Sequence, residues 1–97
     1  MRKVTPQEQA KLRFLESVLL SCVPASRFCV DGKRQNMRMC IAPGEAEWYV
    51  FFREGPLAED VTIHSSFSDA ALQLIHNVAP STAAEELMCN VFLNGEK

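Results

Sequence analysis

Two histidines and four cysteines are the side chains of this sequence whose base or nucleophile chemistry lies nearest neutral pH. Cys40 and His64 both fall in stretches with strand periodicity. A thiol and imidazole pair, the minimum for a thiol-dependent enzyme, would form if their strands were neighbours. No acidic residue is placed behind His64 to orient the imidazole, and nothing marks an oxyanion pocket. His76 stands near the end of a helical pattern, where a protonated ring complements the helix dipole. Cys22, Cys29, Cys40 and Cys89 form no C-x-x-C pair and have apolar flanks, so they read as buried reduced thiols rather than a disulfide framework or metal ligands. Glu59-Asp60 reads as loop charge and Glu85-Glu86 as the acidic opening turn of a helix. Ser65, Ser66 and Ser68 crowd a strand-to-helix junction without a glycine that would let a phosphate approach, so helix capping accounts for them. A dinucleotide fingerprint, a phosphate-loop lysine motif and metal-ligand spacing are all lacking. The expectation is a non-enzymatic protein with no cofactor and no metal.

Ninety-seven residues, 47% hydrophobic and 23% charged, fit a single compact domain over residues 1–97 with little room for a deep substrate cavity. The net charge of -2 excludes both a uniformly basic nucleic-acid coat and a strongly acidic mimic. Its distribution is uneven. Residues 1–55 carry nine Lys or Arg against six Asp or Glu, whereas residues 56–97 carry one against six. Such polarity suits attraction between copies or to a complementary partner, unless the two segments interleave in space. Met1-Arg2-Lys3 and Leu19-Leu20-Ser21-Cys22 resemble a charged leader and a lipoprotein box, but Gln7, Glu8, Gln9, Lys11, Arg13 and Glu16 interrupt the apolar run. With no stretch of membrane-spanning length and with reduced thiols, a cytoplasmic protein that does not engage a membrane is expected.

The elements follow from caps and periods. Thr5-Pro6-Gln7-Glu8 is a capping box with proline at the first helical position, and Phe14, Leu15, Val18, Leu19 and Cys22 continue one apolar stripe. From residue 27 to 65 the period shortens to two. Met37, Met39 and Ile41 alternate with Arg38, Cys40 and Ala42. Past Pro43-Gly44, Trp48, Val50 and Phe52 alternate with Tyr49, Phe51 and Arg53, and beyond Glu54-Gly55-Pro56, Val61 and Ile63 alternate with Thr62 and His64. Asp31-Gly32 signals a hairpin and allows a fourth strand at residues 28–30. Two helices complete the chain, one capped by Ser68 with Phe67 stapled on Leu72, the other opened by a Thr82 and Glu85 capping box and stopped at Asn94-Gly95. The predicted fold is α+β: an N-terminal helix, a three- or four-stranded antiparallel meander, and two C-terminal helices in a layered domain.

Strand parity assigns Met37, Met39, Ile41, Trp48, Val50, Phe52, Val61 and Ile63 to a core face. The opposite face collects Arg38, Cys40, Tyr49, Phe51, Arg53, Thr62 and His64, an aromatic and cationic surface unlike an ordinary solvated sheet. Three readings compete for it. A helix could cover it, leaving the arginines at the rim. It could be a surface for a protein partner or a second copy, since Tyr, Phe and Arg are enriched where interfaces are strong. It could also stack single-stranded nucleic acid on its rings while Arg27, Lys33, Arg34 and Arg38 track phosphates. The leading expectation is a small protein-binding module of inhibitor, immunity or accessory-subunit type. It would act through the basic hairpin and an outer face carrying Arg38, Tyr49, Phe51, Arg53 and His64. Nucleic-acid binding and the Cys40–His64 thiol enzyme stand as alternatives.

Overall fold

Thr5 opens the first helix, α1 (Pro6–Leu20), by the expected reciprocal pair: its Oγ1 accepts from the Glu8 amide at 3.2 Å, and the Glu8 carboxylate accepts from the Thr5 amide at 3.0 Å. The computed structural model describes residues 3–30 and 37–95. After α1 and a 3-10 turn at Ala25–Arg27 come β1 (Phe28–Cys29), β2 (Arg38–Pro43), β3 (Trp48–Glu54), β4 (Leu57–His64), α2 (Phe67–Val78) and α3 (Thr82–Gly95). This is an α+β fold in which, in chain order, one helix precedes and two follow a four-stranded sheet of order β1-β2-β3-β4.

The sheet is mixed. β2, β3 and β4 form the expected antiparallel meander, but β1 lies parallel to β2, with Phe28 opposite Met39 and Cys29 opposite Cys40. A two-residue reversal cannot produce a parallel pair, so a hairpin joining β1 to β2 is corrected; Asp31-Gly32 itself lies outside the described residues. Both C-terminal helices start one or two residues earlier than their sequence signals suggest. Ser66, not Ser68, caps α2 by accepting from the Asp69 amide at 3.2 Å, which makes Phe67 the first helical residue. Ser81, not Thr82, accepts from the Ala84 amide at 3.1 Å, and Glu85 turns instead to His76, with Oε2 2.9 Å from Nδ1.

All three helices contribute to one core. Leu12, Leu15, Val18 and Leu19 of α1, Ala70, Ala71, Leu74 and Ile75 of α2, and Met88 and Phe92 of α3 bury against Ile41, Trp48 and Val50 of the sheet. The spacing of the α2 residues draws a single stripe, and the two alanines let its backbone lie close to the strands. An aromatic chain links the layers. The Trp48 and Phe67 rings meet edge-on with centroids 5.0 Å apart, Phe67 reaches Phe92 at 6.2 Å, and Phe92 stacks on Phe14 at 5.9 Å. No described helix is long and apolar enough to cross a membrane.

Candidate functional site

The parity of β2 and β3 divides the sheet as expected. Cys40, Ala42 and Phe51, joined by Cys29 and flanked by Tyr49, form a second buried cluster that shares no residue with the helix-side core. Since every described helix belongs to the helix-side core, none of them lies across Tyr49 and Phe51. Phe51 is nevertheless 5% exposed and forms a floor, while Tyr49 is half-buried beside it. Met37, expected in the core, is 58% exposed at φ 59°, just before β2 begins.

β4 departs from the expected alternation, and this change creates the site. Phe52 pairs with Glu59 but Val50 pairs with Thr62, so β4 spends three steps where β3 spends two. The extra residue is accommodated at Asp60, whose φ of 52° lies in the left-handed region that aspartate tolerates better than most residues. Glu59-Asp60 therefore belongs to a bulged strand and not to a loop. One inserted residue inverts every side chain beyond it. Thr62 and His64 pair with Val50 and Trp48 and turn to the helix side, whereas Ile63 pairs with Tyr49 on the outer face. Val61 and Ile63, assigned by alternation to the core, are instead 47% and 65% exposed.

A cleft of about 390 Å³ opens on this face, lined by Ala42, Pro43, Tyr49, Phe51, Ala58 and Val61 and closed at the β2–β3 turn by Gly44, Glu45 and Glu47. The Gly44 amide donates to the Glu47 carbonyl at 2.7 Å, and the Tyr49 ring covers the space that a side chain at Gly44 would need. The Tyr49 hydroxyl donates to Glu47 Oε1 at 2.7 Å. That bond, with partial burial and the negative charge of Glu47, pushes the phenol above its ordinary value near 10.0.

Arg38 and Arg53 are register partners at the opposite end. Arg38 Nη1 donates to the Ala25 carbonyl at 3.4 Å and Arg53 Nε to the Gly55 carbonyl at 2.7 Å, so both are held by backbone and neither is neutralised by a carboxylate among the described residues. The exposed Arg27 immediately precedes the Phe28–Met39 pair and joins them at this end. The face thus runs from acidic Glu45 and Glu47, through Tyr49, Ile63, Phe51 and Val61, to a basic end.

Of the expected outer-face residues, the structure brings together Arg38, Tyr49, Phe51 and Arg53. His64 is removed from the set because the bulge turns it to the helix side, where Nε2 lies 2.8 Å from Thr62 Oγ1. The Cys40–His64 pair is likewise not formed: β3 separates their strands and the two side chains face opposite sides of the sheet. Of the residues considered for nucleic acid, Arg27 and Arg38 share one end, and Lys33 and Arg34 lie outside the described residues. Of the four cysteines, Cys29 and Cys40 are buried and Cys22 and Cys89 half-buried. Among the described residues, no cluster of three or more His, Cys, Asp or Glu could hold a metal ion. Sequence reasoning missed Val61, Ile63, Glu45 and Glu47 as components of the face. The available signal was Asp60, a weak strand former placed inside a strand.

No family model, curated protein or solved structure matches this chain.

Proposed function

We propose that this chain is a non-enzymatic protein-binding module that works through the outer face of its sheet. The observation that carries the reading is the bulge at Asp60, which places Val61 and Ile63 beside Tyr49 and the floor residue Phe51 instead of burying them under the helices. Large aliphatic side chains turned out from an antiparallel sheet lose their transfer free energy unless something covers them. Here they lie on the same face as an aromatic cleft closed by Glu45 and Glu47, with Arg38 and Arg53 at the far end of the same two strands, and Tyr and Arg are residues in which binding energy concentrates. Apolar cover and charged ends suit a protein surface better than a small metabolite, because the cleft is open along one side and offers few converging polar groups.

The test compares two immobilised chains, the wild type and a Tyr49→Ala/Val61→Ser variant, for capture of protein from an extract of the native host. The variant should remain folded, with a lowered unfolding midpoint, and capture markedly less. Equal capture by both chains would refute the outer face as the working surface.

A further inference from the structure

The outer face is complementary to itself. Glu45 and Glu47 lie at the β2–β3 turn, and Arg38 and Arg53 lie at the far end of the same two strands. The apolar residues Tyr49, Ile63, Phe51 and Val61 occupy the length between. A two-fold axis between the two copies, parallel to the plane of the sheet and perpendicular to its strands, would set two such faces against each other with reversed strand direction. Each acidic end then meets the basic end of the other copy, and the apolar rows meet at the centre. An axis parallel to the strands would oppose like charges, so the charge pattern selects one of the two face-to-face arrangements. Both arginines donate to backbone carbonyls, and no carboxylate among the described residues pairs with either.

We propose that the occupant of this face is a second copy of the chain, packed sheet on sheet about that axis. This inference rests on the protein-binding reading and names its partner. The seven residues of β3 run roughly 24 Å, and four strands span roughly 15–19 Å across. A footprint of that size buries on the order of 1,000 Å² in total, near the lower limit for a specific pair, so the dimer exchanges rapidly and assembles only as concentration rises. Aligned sheet packing leaves about 10 Å between the two sheets, the depth that Tyr49 and Ile63 from both copies would fill.

Sedimentation of the full chain tests the proposal. The wild type should move from the 10.9 kDa monomer toward twice that mass with concentration. Ile63→Glu, at a position 65% exposed and outside the helix-side core, should weaken self-association at least about tenfold without loss of fold. Arg53→Glu and Glu45→Arg should each weaken it alone. Mixed together they should restore a heterodimer, because each end of the mixed interface again joins opposite charges. A dimer indifferent to Ile63→Glu, or failure of the mixed charge variants to recover association, would overturn the proposal. A chain that stays monomeric up to about 1 mM, the affinity scale of the weakest specific contacts, would overturn it too. If that monomer still captures another protein, and loses it on Ile63→Glu, the second copy is wrong and the protein-binding face stands. If it captures nothing, both are wrong.

Discussion

Replacing Asp60 by glycine and by valine tests the bulge that turns Val61 and Ile63 onto the outer face. At φ 52° the backbone is strained for any side chain, most of all for a β-branched one. The left-handed conformation costs roughly 1–2 kcal/mol for an ordinary residue. Glycine escapes that cost but gives up roughly 0.5–1 kcal/mol in unfolded-state entropy, so Asp60→Gly should be close to neutral. Asp60→Val meets the full strain and, after the entropy cost of glycine is set against it, should be less stable than Asp60→Gly by about 0.5–1 kcal/mol. If residue 60 were ordinary extended strand, the sign would reverse, because valine outranks glycine in strands by up to about 1 kcal/mol. Urea denaturation reads the difference directly: with a slope of about 1–1.5 kcal/mol/M for a chain this small, the two midpoints should separate by about 0.5 M. The corresponding thermal shift is about 4–8 °C for each kcal/mol. A valine variant equal to or more stable than the glycine variant would refute the bulge, and with it the outward placement of Val61 and Ile63. Ile63→Glu gives an independent reading. On the exposed face it should cost less than about 0.5 kcal/mol, whereas a carboxylate turned in beside Trp48 would cost several.

Gly44→Ala should destabilise the fold by about 1–3 kcal/mol, as overpacking does, since the new methyl meets the Tyr49 ring and lies 2.9 Å from Glu47 Oε1; thermal unfolding measures it, and an unchanged midpoint would mean that the ring does not rest there. Tyr49 is the single tyrosine of the chain, so its absorbance titration is unambiguous; it should ionise above its ordinary value, and Glu47→Gln should bring it back down. Because the folded value is the raised one, this contribution to stability is complete below the unfolded pKa and is lost as pH rises through the folded pKa. Timed alkylation followed by mass spectrometry should modify Cys22 first. Cys89 should follow more slowly, since burial and the charge of Glu85 raise its thiol, and Cys29 and Cys40 should react last; early reaction at Cys40 would contradict its burial.

Local signals were legible where short-range physics acts alone. The Thr5 and Glu8 capping box and the alternation of β2 and β3 depend on residues within a turn or a strand of one another, and the chain reveals them directly. Serine caps were legible as a class but not by position, because Ser66, Ser68, Ser81 and Thr82 are chemically equivalent until tertiary packing selects the helix start. The face of Val61 and Ile63 was not legible. An unbroken alternation in β4 would have sent both under the helices, and only the pairing of Phe52 with Glu59 and of Val50 with Thr62 reveals the extra residue. The parallel pairing of Phe28 and Cys29 was hidden for the same reason, since strand direction is set by distant contacts rather than by composition. The charge polarity of the outer face is not the asymmetry along the chain, because both of its ends, Glu45 with Glu47 and Arg38 with Arg53, lie within residues 1–55.

Phe14 of α1 stacks on Phe92 and covers Gly95, where a side chain would strike its ring, so the first helix is completed by the last. During synthesis on a ribosome that adds about 5–20 residues per second, α1 emerges on the order of 4–15 s before α3 can receive it. For that interval Leu12, Leu15, Val18 and Leu19 lack the cover that Met88 and Phe92 supply, and a nascent chain stalled before α3 presents them to chaperones and proteases.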